Sequence, residues 1–139
     1  SDVTAAFIYI GEPGDAGWTW AHDQGRLHAE AATGAKTLTI NNIAEGSPEF
    51  EQAVRDFIAD GANAIFATSF GYMDAMETLS GEFPDVAFFH ATGFKANDTN
   101  FANYFGRIYQ ARYLTGIAAG AASECEPPAP PVVVLLLPR

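Results

Sequence analysis

The sequence is poor in cysteine, and this limits its chemistry. Cys125 stands alone, so the chain can form no internal disulfide and no thiolate metal cluster. Its histidines offer a metal little more. His22 and His28 are six residues apart, on different faces of a helix, and no third ligand has suitable spacing. We therefore expect no metal and no other cofactor.

Basic residues are also scarce. Seven lysines and arginines face seventeen acidic residues, which gives a formal charge of −10. The few basic residues are scattered, so nothing would neutralise the phosphates of a nucleic acid or of an anionic membrane. No apolar run reaches the roughly 20 residues that span a bilayer. These counts argue against nucleic-acid and membrane-surface partners.

Sequence signatures of catalysis are lacking as well. There is no Gly-x-Ser-x-Gly, and the spacing of Gly11, Gly14 and Gly17 differs from the Gly-x-Gly-x-x-Gly of dinucleotide-binding folds. Glu12 and Asp15 lie within that glycine-rich stretch, where their carboxylates would repel phosphate. We expect a protein that is not an enzyme.

Hydrophobic residues make up 48% of the 139 residues, which is enough for the core of one domain. Apolar runs of strand length alternate with segments of helical period, the pattern of βαβ units. The sequence therefore predicts an α/β fold with a doubly wound, mostly parallel sheet in flavodoxin-like order. The predicted strands are Ala5–Ile10, Lys36–Ile40, Ala64–Thr68, Val86–His90 and Phe101–Phe105, and the predicted helices run from about Trp18 to Ala32, from Pro48 to Gly61, from Tyr72 to Ser80 and from Ile108 to Ala122.

Two helix starts carry more detailed expectations. The first helix should place its small and apolar side chains on one face. Ser47 should cap the second helix, with Pro48 at its first position. The residues expected on the buried face of the first helix are Trp18, Ala21, Gly25, Ala29 and Ala32.

Aromatic and polar side chains follow the predicted strands, at the edge where ligands bind in open α/β sheets. Aromatic rings stack on flat heterocycles, and carboxylates or imidazoles bond to their polar edges. The candidate ligand-binding residues are Asp15, Trp18, Trp20, Phe70, Tyr72, His90 and Tyr104.

Several of these candidates have an equally simple structural role. Asp15 could cap the first helix, and His90 could be a core histidine. One of Trp18 and Trp20 should pack on the sheet, while Asp23 fits a solvated helix carboxylate. These alternatives remain open at the level of sequence.

The last fifteen residues differ from the rest. Residues 125–131 are rich in proline and predict an extended linker, and Val132–Leu137 is a short run of apolar residues. We expect an α/β lobe over residues 1–124 and an atypical tail over residues 125–139.

Four separated motifs resemble the basic membrane protein (Bmp) family of ABC-importer solute-binding proteins, related to the purine nucleoside receptor A type. They lie in collinear order between about residues 4 and 123. The motifs are Gly14-Asp-Ala-Gly-Trp-Thr-Trp-Ala-His-Asp-Gln-Gly-Arg26, Ala67-Thr-Ser-Phe-Gly-Tyr-Met-Asp74, Phe89-His-Ala-Thr-Gly93 and Asn103-Tyr-Phe-Gly-Arg-Ile-Tyr-Gln-Ala-Arg-Tyr-Leu-Thr-Gly116.

The resemblance implies one lobe of a type I periplasmic-binding-protein fold, which closes with a second lobe over a purine nucleobase or nucleoside. It also implies an ABC permease as partner and a periplasmic or extracellular location after removal of a signal peptide. An aromatic side chain of the first loop would stack on the base. His90 stands where many relatives carry an acidic ligand contact, which favours a nucleobase over a nucleoside.

The tail replaces the strand that crosses to the second lobe in this family, as a truncated or frame-shifted coding sequence would. We therefore expect weak or no binding by this chain alone. Two other functions remain open. The chain could be a flavodoxin-like regulatory or enzymatic domain, although the third strand ends in Thr68-Ser69 rather than the aspartate of a receiver. It could also be an assembly module that forms a homodimer through the exposed lobe face.

Overall fold

The computed structural model describes residues 3–123, and the chain divides into two units, one ending at Phe105 and the other beginning at Gly106. The predicted boundary at residue 124 and the tail at 125–139 lie outside the described residues. The second unit contains α4 (Ile108–Ala122). The first unit contains the strands β1 (Thr4–Ile8), β2 (Lys36–Ile40), β3 (Ala64–Ala67), β4 (Ala87–Ala91) and β5 (Phe101–Tyr104), and the helices α1 (Trp18–Thr33), α2 (Pro48–Ala59) and α3 (Met73–Glu82).

The five strands form one parallel sheet in the order β2-β1-β3-β4-β5. This confirms the predicted fold class. β1 lies inside the sheet, where Ile8 pairs with Ile40 of β2 and with Ala67 of β3. A strand between two neighbours whose side chains are buried on both faces reads as an unbroken apolar run, as β1 does.

The main core lies between the sheet and the helices α2 and α3. Phe50 and Val54 of α2 and Met76 and Leu79 of α3 are fully buried against the sheet. Their spacing of three or four residues puts each pair on one helical face, so the periodicity that predicted the helices also selects the buried face. Ser47 is the N-cap residue of α2, as predicted, but its hydroxyl has no hydrogen-bond partner in residues 3–123.

The opposite face of the sheet carries α1, and here the predicted buried face is wrong. Thr19 is the one fully buried residue of α1, and the side chains of Asp23 and Arg26 are largely covered. The Tyr9 hydroxyl donates to Asp23, and Arg26 bonds to Asp23, to Glu30 and to the hydroxyl of Thr37. A polar network therefore joins α1 to β1 and β2. The residues expected to be buried are exposed instead, namely Trp18, Ala21, Gly25, Ala29 and Ala32.

Two short 3-10 turns, Pro13–Asp15 and Phe70–Tyr72, precede α1 and α3. The second turn includes Tyr72, so α3 begins at Met73, one residue after the predicted start at Tyr72. Over residues 3–123, the helices are too short or too polar to cross a bilayer.

Candidate functional site

At one edge of the first unit, every loop follows the carboxyl end of a parallel strand, so the side chains of these loops lie close together. We call it the carboxyl edge. We call residues 9–20, which include the first residues of α1, the α1 loop, and residues 68–72 the α3 loop. Phe70 is 54% exposed, Trp20 48% and Phe94, just after β4, 73%. Large apolar side chains this exposed, collected at one edge, are typical of a binding surface. The full set of exposed aromatic residues at this edge is Trp18, Trp20, Phe70, Phe94, Tyr104 and Phe105.

Asp15 holds the start of α1. Its carboxylate accepts backbone N–H bonds from Gly17 at 2.8 Å, Thr19 at 3.1 Å and Trp20 at 3.0 Å. These are the unpaired donors of a helix start, which favour a negative charge. The bonds from Trp20 and Gly17 lower the pKa of Asp15. Asp15 therefore caps the helix, and its contact with a ligand stays a prediction.

The two tryptophans have different environments. The indole Nε1 of Trp18 donates to the carbonyl oxygen of Thr68 at 2.6 Å, which ties the α1 loop to the α3 loop. The Trp18 ring also lies 4.6 Å from the ring of His22, whose centroid is 6.3 Å from that of Tyr104. Trp20 is tied through its backbone, and about half of its side chain faces solvent. Trp18 is thus an anchored ring and Trp20 an open one.

Tyr104 is the last residue of β5 and belongs to the same group of aromatic residues. Its ring packs edge-on against Phe66, with the centroids 6.5 Å apart. Burial raises the pKa of Tyr104 to about 12, so its hydroxyl is neutral at physiological pH and able both to donate and to accept a hydrogen bond.

Tyr72 and His90 lie beneath the edge rather than on it. The Tyr72 hydroxyl donates to the carbonyl oxygen of Ile43, and its ring stacks on Phe50 with centroids 4.3 Å apart. Burial and the nearby charge of Glu45 raise the pKa of Tyr72 to about 12. The structure therefore brings Asp15, Trp18, Trp20, Phe70 and Tyr104 to the surface of the edge, and it places Tyr72 and His90 in the layer that supports them.

His90 is fully buried, and its Nε2 lies 2.7 Å from the carbonyl oxygen of Ser69. A carbonyl can only accept, so Nε2 carries the proton and Nδ1 is bare. Nδ1 is buried and has no hydrogen-bond partner among the described residues. Burial lowers the pKa of His90, which keeps the imidazole neutral. Whether His90 contacts a ligand stays a prediction.

Backbone strain collects at the same edge. The non-glycine residues with positive φ in the described chain are Ala16 at 52°, Asn42 at 59° and Thr92 at 72°. Each follows β1, β2 or β4. Such a conformation is uncommon for any residue with a side chain and rarest for a β-branched one, and it is frequent at ligand sites. The hydroxyl of Thr92 is also buried and lacks a partner among residues 3–123.

Sequence reasoning missed Glu45 and Phe94. Glu45 accepts hydrogen bonds from the hydroxyl of Ser69 and the backbone N–H of Gly71, and both bonds lower its pKa. Phe94 faces Phe70, with ring centroids 6.4 Å apart. An exposed aromatic shortly after a strand end could have revealed Phe94. Nothing local marks Glu45, whose partners are 24 and 26 residues away.

A cavity among the described residues lies away from this edge. It is an open groove of about 530 Å³ on the α1 face of the sheet, lined by the apolar side chains of Phe7, Phe66 and Phe89 among others. The edge itself is an open surface, as one wall of a cleft would be. Over residues 3–123, no three His, Cys, Asp or Glu side chains gather in a way that could hold a metal ion.

The chain is similar to known substrate-binding proteins of ABC transporters. The family model Bmp, described as "ABC transporter substrate-binding protein PnrA-like", matches residues 2–126. A purine-binding protein of Brucella abortus is 45% identical over 124 residues, covering 88% of this chain and 35% of the relative. A Haloferax volcanii protein, provisionally named the ABC transporter glucose-binding protein TsgA13, is 41% identical over 125 residues, covering 88% of this chain and 31% of the relative.

A solved structure agrees at the level of the fold. An ABC transporter solute-binding protein from Conexibacter woesei superposes with a TM-score of 0.69 at 23% identity, over 85% of this chain and 40% of that one. The chain thus spans about a third of the length of the curated relatives it matches.

Proposed function

The chain belongs to the Bmp family of PnrA-like ABC transporter substrate-binding proteins, and we propose that its carboxyl edge is one wall of a cleft that binds a purine base. The exposed aromatic rings of that edge carry the proposal. Stacking of one base on one aromatic ring contributes about 1–3 kcal/mol. Trp20, Phe70 and Phe94 offer faces for such stacking, since each is about half exposed or more.

The 45% identity with a protein named for purine binding supports the same ligand class. The neutral hydroxyl of Tyr104 and the charged carboxylate of Asp15 would supply polar contacts to the rim of the base. Neither the hydroxyl nor the carboxylate suits a phosphate group, because the acidic α1 loop repels its negative charge. A nucleobase or nucleoside therefore fits better than a nucleotide.

Membership of the family also supports a partner and a location. The whole protein would carry its solute to an ABC permease from the periplasm or the extracellular space, and it would do no chemistry on it. Residues 3–123 supply one wall of such a cleft. Ligand sites bury most of their ligand, and one wall can cover only one side. We expect dissociation constants no tighter than high micromolar.

A calorimetric titration with adenine, hypoxanthine, guanine and their nucleosides tests the proposal. We expect saturable binding of at least one purine, and a loss of about tenfold in affinity on Phe70→Ala, from the stacking magnitude above. Leu27→Ala, a change at an exposed apolar residue far along α1, serves as the control. Failure of every purine to bind, to this chain and to a chain of its relatives' full length, would refute the purine proposal.

Glucose is the second candidate, because the 41% identical relative is provisionally named for it. The same titration with glucose separates the two. Saturation by glucose without response to any purine would favour a sugar site.

A further inference from the structure

We propose that Glu45 and His90 are positioning residues, which hold the α3 loop from two sides so that Phe70 is presented to the ligand at the carboxyl edge. The presence of a purine in that position rests on the proposed function. The holding of the loop does not, and it can be tested without a ligand.

The polar groups around Phe70 are occupied inside the protein. The carbonyl oxygen of Thr68 accepts from the indole of Trp18. The carbonyl oxygen of Ser69 accepts from Nε2 of His90 and from the backbone N–H of Tyr72. These bonds fix the two peptides that precede Phe70.

Glu45 fixes the other side of the same residue. One carboxylate oxygen accepts both from the Ser69 hydroxyl and from the Gly71 N–H, the latter at 2.7 Å. Glu45 belongs to the loop after β2, so this contact joins two loops whose strands are separated by β1 in the sheet. Hydrogen bonds to a charged acceptor are stronger than neutral ones. Phe70 is therefore bracketed on both sides by anchored residues, while its own ring meets Phe94 and solvent.

Two glycines make these close contacts possible. A Cβ at Gly71 would lie 2.5 Å from Cδ of Glu45, and a Cβ at Gly93 would lie 2.0 Å from Nδ1 of His90. Both distances are shorter than any normal contact. The backbone thus approaches each holding side chain as closely as the absence of a side chain permits, which is the geometry of a clamp rather than of a chance contact.

An exposed ring on a fixed backbone suits binding. Ordering a loop when the ligand arrives costs conformational entropy, so a loop that is already ordered binds more tightly for the same contacts. Glu45 and His90 would act in this way on Phe70 without touching the ligand.

The test measures loop order in the ligand-free chain by backbone ¹⁵N relaxation and amide exchange. In Glu45→Ala we expect lower heteronuclear NOE values at residues 69–71 and about fivefold faster exchange of the Gly71 amide. Glu45→Gln, whose amide oxygen can still accept both bonds, should restore most of the order. Glu49→Ala, another exposed glutamate, serves as the matched control and should resemble wild type. Because His90 is buried and its replacement also affects stability, the exposed Glu45 carries the test.

The same variants are then titrated with adenine. Support requires a looser loop in Glu45→Ala and about fivefold weaker adenine binding, with rescue by Glu45→Gln. An unchanged loop in Glu45→Ala overturns the proposal, and so does a looser loop with unchanged adenine affinity. If wild type binds no purine and the loop still loosens, the purine function fails while the holding of the α3 loop by Glu45 is supported.

Discussion

The α1 loop and the α3 loop both present aromatic rings at the same edge, yet they are held differently. In the α1 loop a single residue of the loop, Asp15, accepts bonds from three backbone groups two to five residues ahead. In the α3 loop the holding groups come from elsewhere, since Glu45 and His90 are more than twenty residues from Ser69. One loop is ordered by its own sequence, and the other by its neighbours.

The two loops should therefore differ in which substitutions disturb their structure. A change in the α1 loop should act locally, at the start of α1. The α3 loop should respond to changes in the loop after β2 and in β4, which supply Glu45 and His90, with no change in its own sequence. The bond from Trp18 to Thr68 is the direct link between them. Variants that act on one of the two loops and leave the other unchanged test this contrast.

Gly93→Ala should have the largest effect. Its Cβ would lie 2.0 Å from the buried Nδ1 of His90, and overpacking of this kind costs about 3 kcal/mol of unfolding free energy. Gly14→Ala in the α1 loop is the matched control, because a Cβ there meets nothing within 4 Å. We expect the control to change stability by less than about 0.5 kcal/mol. Equal losses in urea unfolding would contradict the contrast.

Mild acid should weaken the α3 loop before the α1 loop. Burial lowers the pKa of His90 from its ordinary 6.5, so below about pH 6.5 the unfolded chain binds the proton first and stability falls. The fall is at most about 1.4 kcal/mol per pH unit and ends at the folded pKa. The charged group facing His90 is Glu45, whose pKa is lowered from 4.5, so it stays ionised over this range.

The measurement is the urea midpoint between pH 7.5 and 5 for wild type and for His90→Gln. The variant should be less stable at pH 7.5, and the gap should narrow as the pH falls. A gap that is constant with pH would show that His90 does not stay neutral in the fold.

Trp18→Phe should have an intermediate effect. It keeps an aromatic ring but removes the indole N–H that bonds to Thr68, a loss of about 1 kcal/mol for a neutral hydrogen bond. Trp20→Phe removes an indole from an exposed side chain for which no indole bond is described, and it should be nearly neutral. The two variants are compared by thermal unfolding. A larger loss in Trp20→Phe would reverse the assignment of the anchored and the open ring.

Asp15→Asn should have the smallest and most local effect. The change removes the charge that the α1 start favours but keeps an oxygen that can accept hydrogen bonds. Because the bonds lower the pKa of Asp15 from 3.8, the charge stabilises the fold above about pH 4, and the difference from wild type should vanish as the pH falls below it. Amide shifts should be confined to residues near Gly17, Thr19 and Trp20. Shifts in the α3 loop of similar size would contradict a local role.

The sequence predicted the sheet and most of its elements because their signals are local. Three of these signals act within a few residues: runs of apolar residues, a glycine after a helix, as at Gly34 and Gly61, and proline at a helix start, as at Pro48. The strand β2 and the helix α4 have the predicted bounds. The edge itself also followed, since parallel strands bring their carboxyl ends together. Asp15 could be weighed as a helix cap for the same reason.

The failures involve partners that are distant along the chain. The pattern of apolar residues predicted the wrong buried face for α1. The polar side chains of α1 face the sheet instead, because they form hydrogen bonds with Tyr9 and Thr37. Glu45 gave no signal, because its role depends on the approach of a loop 24 residues later. The sequence left His90 open between a core role and a ligand contact for the same reason, because the Ser69 carbonyl to which its Nε2 donates lies 21 residues earlier.

An amide shift map of the ¹⁵N-labelled chain, titrated with adenine to millimolar concentration, tests whether the carboxyl edge binds a purine. We expect saturable shifts at the carboxyl edge, in residues 15–20, 69–72 and 92–95, while the amide signals of the groove residues Ala5, Ala64 and Ala87 stay unchanged. Shifts centred on that groove, or no saturable shift at the edge with any purine, would contradict purine binding at the carboxyl edge.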